Sequence, residues 1–168
     1  MPKPHTIVAL ALSFCFASVQ AQTAPSAAEM VEQLKAQPPR TRSLRNLTVE
    51  SAAPEARPSL SLLIQFDFNS STVKPESQQA LANLAQALKS KELGESKFAV
   101  EGHTDGKGRA DYNLKLSQQR ADAVRSFLAS NGVVDARLQA VGKGATELAN
   151  TADPLAAENR RVRIVNLN

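Results

Sequence analysis

The stretch from Val100 to Phe127 constrains the fold of this chain more than any other part of it. Alternating apolar residues predict a strand that ends near Gly102. A short polar loop follows, in which Asp105 stands before Gly106 and Gly108, two residues that let the backbone turn sharply. Helical spacing then resumes and continues to the end of the stretch. A strand, a tight acidic loop and a long helix in direct succession predict a sheet with a helix packed on it.

The flanking sequence extends this pattern into a complete domain at residues 59–168. Apolar periodicity predicts strands at 60–68, 98–102, 138–142 and 162–167, helices at 75–89 and 112–130, and an irregular or partly helical connection at 146–158. The order β-α-β-α-β-(α)-β predicts an α+β sandwich, with helices packed on one four-stranded mixed sheet. About 110 residues are enough for one hydrophobic core.

The first 21 residues predict an export signal. Lys3 supplies a positive charge, residues 7–19 form an apolar run, and cleavage is expected before Gln22. The run is shorter than the roughly 17–25 residues of a spanning helix. The single cysteine, Cys15, lies between two phenylalanines inside the run, which is a poor position for lipidation. The mature chain is therefore expected to contain no cysteine and no disulfide.

Residues 22–58 predict a linker, because they are rich in alanine, proline and serine. Within it, residues 27–37 have the pattern of a short helix with Ser26 as its N-cap. Residues 40–47, with the sequence R-T-R-S-L-R-N-L, are either a contact for an acidic partner or a solvated linker. The second interpretation is favoured, since charge runs are usually solvated. A protein partner docking on residues 26–58 stays open.

Charge and side-chain chemistry argue against several classes of function. The net charge is +4, but the basic residues do not form a block interleaved with aromatic residues, so no nucleic-acid binding is expected. His103 has no second histidine outside the export signal with which to bind a metal, which favours a hydrogen-bonded structural histidine. Ser117 has no base at a spacing that implies a catalytic triad. We therefore expect no metal, no cofactor and no enzymatic activity.

The helix at 112–130 places an arginine among apolar residues. A helical wheel puts Arg120 on one face with Leu116 and Val124. An unpaired buried guanidinium is costly, so Arg120 requires an anionic partner. Asp105 is the neighbouring charge at the end of the preceding strand. Two arrangements stay open, a direct Asp105–Arg120 salt bridge or a ligand that carries both charges and lies between them.

Three motifs carry a resemblance to a known family. They are V-E-G-H-T-D-x-x-G from Val100, Y-N-x-x-L-S-x-x-R-A-x-A-V from Tyr112, and N-R-R-V from Asn159. Together they make residues 60–168 resemble the OmpA-like C-terminal domain family, which includes the peptidoglycan-associated lipoproteins. The resemblance implies non-catalytic binding of peptidoglycan through its stem peptide, commonly at meso-diaminopimelate.

The resemblance also implies a ligand site. The family's aspartate, which takes the ammonium of diaminopimelate, falls on Asp105, and the arginine that takes a carboxylate falls on Arg120. The other ligand-binding positions fall on Asn69, Thr104, Asn113, Leu116 and Arg161. This resemblance favours a pair of charges bridged by ligand.

The sequence departs from the family pattern at the loop after the third strand and at the membrane tether. Gly144 is followed by A-T-E-L where the family often has E-x-x-P, so the shape of that loop is not defined by the resemblance. The usual tether is not evident, so we expect a periplasmic protein exported by a cleaved signal, with its association with the outer membrane left open. The alternative function is that of a periplasmic structural or adaptor protein of the same fold that does not bind the wall.

Overall fold

The computed structural model describes residues 24–35, 57–67 and 69–168. The predicted export signal and the arginine-rich segment lie outside the described residues. In chain order the elements are α1 (Ala27–Leu34), β1 (Ser59–Leu62), α2 (Pro75–Leu88), β2 (Phe98–His103), α3 (Ala110–Ser130), β3 (Leu138–Gly144) and β4 (Val162–Asn166), with short 3-10 turns at Asp135–Arg137 and Ala157–Asn159. Among these described helices none has both the length and the apolar character needed to cross a bilayer.

The four strands form one mixed sheet in the order β1-β4-β2-β3. Strand β4 runs antiparallel to both β1 and β2, whereas β2 and β3 are parallel. Val100 in the centre of β2 lies between Ile164 of β4 and Ala140 of β3. Helices α2 and α3 pack on one face of this sheet. The α+β architecture predicted from the sequence is confirmed.

The core lies between the sheet and the helices, and the apolar periodicity explains its composition. Pro75 occupies the first position of α2, where its missing N–H costs nothing, and the helix buries leucines at helical spacing. On the sheet side, Phe98, Val100 and Ile164 are fully buried. Helix α3 contributes Ala121, Val124 and Leu128 to the same core.

The short helix predicted at 27–37 is present as α1, which ends earlier, at Leu34, and packs against α2 and β1. Its first turn is closed by a capping box, in which the Ser26 hydroxyl accepts the Glu29 N–H and the Glu29 carboxylate accepts the Ser26 N–H. Met30 and Leu34 are fully buried in the main hydrophobic core. A helix from the proline-rich region before the domain therefore belongs to the same core as the sheet.

The first strand is shorter than predicted. The alternation of buried and exposed residues continues to Phe66, as the sequence indicates, but pairing with β4 ends at Leu62. The Ile64 N–H turns back to the Leu62 carbonyl oxygen at 3.1 Å, and the Gln65 N–H is taken by the Ser77 hydroxyl at 2.8 Å. These two hydrogen bonds take the place of backbone hydrogen bonds to β4. The chain therefore separates from β4 after Leu62 and leaves a gap at this end of the sheet.

Helix α3 lies unusually close to β2 and β3 because both strands present glycine to it. A Cβ on Gly102 would lie 2.2 Å from the Ser117 carbonyl oxygen, and one on Gly142 would lie 2.6 Å from the Gln118 backbone nitrogen. The Ser117 hydroxyl also accepts the N–H of Gly144 at 2.9 Å. This contact fixes the N-terminal half of α3 above the carboxyl ends of two parallel strands, where the acidic loop begins.

Candidate functional site

The acidic loop after β2 is held by two neighbouring segments. Thr104 donates its N–H to the Gly144 carbonyl oxygen at 2.9 Å, and Gly106 donates to the Pro154 carbonyl oxygen at 2.8 Å. The Asp105 carboxylate turns back and accepts, through Oδ1, the N–H two residues further on at 3.2 Å. The loop therefore presents one carboxylate oxygen, Oδ2, to the space beside it.

That second oxygen of Asp105 binds an arginine that the sequence analysis did not assign to the site. Arg160 Nη1 lies 2.9 Å from Asp105 Oδ2. The Asp105 side chain is 17% exposed and that of Arg160 is 48% exposed. The ion pair therefore lies at the protein surface, where the Asp105 carboxylate is more buried than the Arg160 guanidinium.

The direct Asp105–Arg120 salt bridge that the sequence leaves open does not form. No carboxylate in the described part of the chain lies within 4.0 Å of the Arg120 guanidinium. Arg120 Nε instead donates to the Ser70 carbonyl oxygen at 3.1 Å, and its guanidinium lies 4.8 Å from the centre of the Phe66 ring. Burial lowers the pKa of the Arg120 guanidinium, and the positive charge of Arg160 acts in the same direction. Arg120 is thus a half-buried cation with a second cation nearby.

Arg120 and Arg160 line one cleft of about 360 Å³, which lies in the gap that opens where β1 separates from β4. Its lining residues are Leu63, Ile64, Gln65, Phe66, Arg120, Ala157 and Arg160. The volume falls within the range of small-molecule sites, about 300–1,000 Å³. A lining that combines apolar side chains with two guanidiniums suits a small anionic or zwitterionic group with an aliphatic part.

Asn113, in the first turn of α3, holds the backbone of the acidic loop through its side chain. It is 4% exposed, and its side-chain amide donates to the Lys107 carbonyl oxygen at 3.0 Å and to the Asp105 carbonyl oxygen at 3.4 Å. The side-chain amide is therefore directed at the loop backbone. This contact links the start of α3 to the position of the Asp105 carboxylate.

The remaining family positions differ in their surroundings. Asn69 is exposed and has φ of +52°, a conformation that asparagine tolerates better than most residues, and it precedes Ser70, which binds Arg120. Leu116 is half-buried one helical turn before Arg120. Thr104 is buried, and its hydroxyl has no hydrogen-bond partner among the residues described.

Of the predicted site residues, which all lie in the described part of the chain, only Arg120 lines the cleft, and the Arg161 side chain is directed elsewhere. It is 7% exposed and donates Nη2 to the Glu147 carbonyl oxygen at 3.0 Å. It lies beside His103, whose backbone N–H donates to the Arg161 carbonyl oxygen at 3.0 Å. His103 itself is buried, and within the described ranges neither ring nitrogen has a hydrogen-bond partner, unlike the hydrogen-bonded histidine that the sequence predicts.

Arg160 and Arg161 stand side by side before β4, but only Arg160 lines the cleft. Within β4, Val162 and Ile164 point into the core between sheet and helices, whereas Arg163 points to the opposite side, where it binds Glu101. Arg160 lies outside this alternating segment, at the end of the 3-10 turn Ala157–Asn159. The alternation of β4 therefore does not extend to Arg160 and could not have identified it from the sequence.

Comparison with known proteins gives a consistent result. The chain is 42% identical over 101 residues to outer membrane protein A of Bordetella avium, which covers 59% of this chain and 51% of that protein. The chain spans about half or less of the length of the curated relatives that it matches. The comparison therefore concerns the shared region alone.

Two solved structures share the fold. The peptidoglycan-associated lipoprotein from Burkholderia pseudomallei superposes with a TM-score of 0.53 at 37% identity, covering 63% of this chain and 88% of that one. The cell wall anchor of the T6SS from Pseudomonas aeruginosa superposes with a TM-score of 0.55 at 30% identity, covering 66% and 81%. The sequence model that describes the OmpA family matches residues 65–162 of this chain, which is more than half of the sequence. This chain belongs to the OmpA family.

Proposed function

We propose that this protein binds peptidoglycan non-covalently, through the diaminopimelate of its stem peptide, and contributes in this way to cell-envelope integrity. The observation that carries the proposal is the cleft beside the acidic loop. There a half-buried Arg120 has no carboxylate partner among the described residues, while the Asp105 carboxylate lies at the edge of the same site. A buried cation without an anion favours an anionic ligand group.

The chemistry of diaminopimelate suits these two charges. The free end of its side chain carries an ammonium and a carboxylate on one carbon, joined to the peptide by a short aliphatic stem. In the proposed complex Asp105 takes the ammonium and Arg120 takes the carboxylate, each through charge-assisted hydrogen bonds. Leu116 and Asn69 are further proposed contacts. In this proposal Thr104 stays a contact beside Asp105, and Asn113 acts through the loop that it supports. Arg161 has an indirect role, since its side chain lies outside the cleft and donates to the Glu147 carbonyl oxygen.

Relatives of this chain support binding as opposed to catalysis. One similar structure is named a peptidoglycan-associated lipoprotein and another a cell wall anchor, and the curated relatives include outer membrane proteins. Recognition of a zwitterion by fixed charges breaks no bond and requires no nucleophile. We accordingly place the protein in the periplasm, associated with the wall and the outer membrane, and propose no enzymatic activity.

Sedimentation with isolated peptidoglycan tests this function. Asp105→Asn and Arg120→Gln remove the charge of each side chain while keeping a polar group, so each is expected to lower the affinity for diaminopimelate-containing wall by more than about tenfold. Asp135→Asn and Arg125→Gln are matched controls, because Asp135 and Arg125 form an exposed ion pair near the far end of α3. Circular dichroism and urea unfolding verify that each variant is folded. Undiminished sedimentation of both site variants would falsify the proposal.

A specific observation also supports the alternative, an adaptor of the same fold that does not bind the wall. Asp105 already has a partner on each carboxylate oxygen, the Lys107 N–H and Arg160. On this alternative the ion pair is purely structural, so diaminopimelate would cause no chemical-shift change in the loop, and Arg160→Gln would reduce stability with no effect on any ligand. Titration of the labelled protein with free diaminopimelate distinguishes the two functions.

A further inference from the structure

Arg160 occupies the position on Asp105 that a ligand ammonium would take. Its Nη1 lies 2.9 Å from Asp105 Oδ2, across 55 residues of sequence. The Arg160 side chain is nearly half exposed, in contrast to the inner carboxylate. Ion pairs with an exposed partner contribute little net stability. The pair can therefore open without disturbing the fold.

Arg160 also lines the same cleft as Arg120. Within the described residues, this region contains two guanidiniums and one carboxylate that is bound by a guanidinium, so the site carries an excess positive charge. Arg120 is satisfied by a carbonyl oxygen and an aromatic ring, which are weak partners for a half-buried cation. A ligand carboxylate in the cleft would lie near both Arg120 and Arg160, because both side chains line it.

We infer that Arg160 is a specificity-determining residue that closes on Asp105 in the free protein and turns to the ligand carboxylate when the ligand ammonium replaces it. This inference rests on the proposed function. A zwitterionic group then inserts between Asp105 and Arg160, so that Asp105 and Arg160 each keep an opposite charge as partner throughout. An ammonium without a carboxylate would displace Arg160 and leave it beside the half-buried Arg120 with no ligand anion between them, and the repulsion between the two guanidiniums then disfavours that ligand.

The resulting selectivity is for diaminopimelate over lysine at the third position of the stem peptide. The two side chains both end in an ammonium, but only diaminopimelate has a carboxylate beside it. Two effects therefore favour diaminopimelate over lysine. The lysine ammonium displaces Arg160 from Asp105 without replacing its anionic partner, and the diaminopimelate carboxylate forms an additional ion pair. Arg120 contributes only to the ion pair with the ligand carboxylate, whereas Arg160 contributes to that ion pair and also disfavours the lysine peptide.

Calorimetric titration with two tetrapeptide stems, identical except for diaminopimelate or lysine at position three, tests the inference. The wild-type protein is expected to prefer the diaminopimelate peptide. Arg160→Gln is expected to weaken binding of that peptide and to strengthen binding of the lysine peptide, so that the ratio of the two affinities falls by about tenfold or more. A rise in affinity for the lysine peptide is a result that damage to the fold does not produce. Arg125→Gln is the matched control and should leave the ratio unchanged.

The outcomes separate this inference from the function on which it rests. If the wild-type protein binds neither peptide, both are overturned. If the wild-type protein prefers diaminopimelate and Arg160→Gln lowers both affinities equally, or leaves the ratio intact, the specificity role is wrong and the function stands. In the wild-type protein the Arg160 Nε–Hε resonance gives a direct measure without a variant. It should shift on addition of the diaminopimelate peptide, and an unmoved resonance at saturation would contradict the exchange of partners.

Discussion

The side-chain amide of Asn166 donates a 2.9 Å hydrogen bond to the carbonyl oxygen of Leu34, 132 residues earlier in the chain. Leu34 is the last residue of α1, where backbone carbonyls have no partner within the helix. Asn83 of α2 donates in the same way to the Pro25 carbonyl oxygen at 2.9 Å, at the other end of α1. Two asparagines from the domain thus hold both ends of the short helix.

Replacing Asn166 by alanine is expected to release the C-terminal end of α1. The substitution leaves the Leu34 carbonyl unsatisfied in a buried position, so the free energy of unfolding should fall by about 1–3 kcal/mol. Amide hydrogen exchange in α1 should accelerate more than exchange in β2. Asn131→Ala removes an exposed amide-to-carbonyl bond at the end of α3 and is the control. Slow exchange in α1 of the Asn166 variant would contradict this role.

Gly102 has no room for a side chain. The Cβ of an alanine there would meet the Ser117 carbonyl oxygen at 2.2 Å, and this oxygen belongs to the backbone of α3, which cannot move aside as a flexible side chain can. Gly102→Ala is expected to lower the free energy of unfolding by at least about 3 kcal/mol, because α3 must move away from β2. Gly94→Ala is the matched control, since its nearest contact is 3.2 Å and its φ lies outside the left-handed region. Its effect should stay within about 1 kcal/mol. Urea unfolding of both variants measures the difference, and equal midpoints would refute the close contact.

The sequence predicted the fold well because the physical signals are local. Period-two burial identified the strands, and helical spacing identified α2 and α3 to within about two residues at each end. The early end of β1 was missed because burial still alternates through Phe66 while pairing has already stopped at Leu62. Apolar periodicity reports which face is buried, and the backbone partner is decided by distant contacts such as that of Gln65 with Ser77.

The candidate site was predicted only in part, because local sequence patterns do not show which distant residues come into contact. The wheel placed Arg120 on the inner side of α3, where it lies half-buried. The pairing of Asp105 with Arg160 could not follow from the spacing of the two charges, because it depends on β4 running beside β2. The contact of α1 with Asn166 likewise joins residues more than a hundred positions apart. Interactions between residues distant in sequence require the topology first.

Asn113 offers a test of the loop as a positioning element. Its amide donates to two loop carbonyls, so Asn113→Ala should loosen residues 105–109 and lower peptidoglycan affinity, with a loss of stability of about 1–3 kcal/mol. Asn113→Asp should be worse than alanine, since it directs a carboxylate at the same two carbonyl oxygens. Backbone relaxation of the loop, measured by nuclear magnetic resonance, gives the readout. A rigid loop in the aspartate variant would show that the contact is not needed.

The buried His103 predicts how stability depends on pH. Burial, together with the nearby positive charges of Arg161 and Arg163, lowers the pKa of the imidazole from 6.5 to about 4, against the opposing effect of Glu101 and Glu147. Glu101 Oε2 is 3.8 Å from His103 Nε2, too far for a hydrogen bond. The imidazole is therefore neutral in the folded protein at neutral pH.

Between pH 6.5 and about 4 the unfolded chain binds a proton on His103 that the folded protein does not. The free energy of unfolding should therefore fall as the pH drops through this window, by up to about 3 kcal/mol, with no contribution from His103 above it. His103→Gln does not titrate, so the wild-type stability should decline more steeply than that of the variant in urea unfolding between pH 7 and 4. Carboxylates titrate in both proteins and largely cancel in the difference. Parallel stability curves, or an imidazole resonance that titrates near 6.5, would contradict a buried neutral histidine.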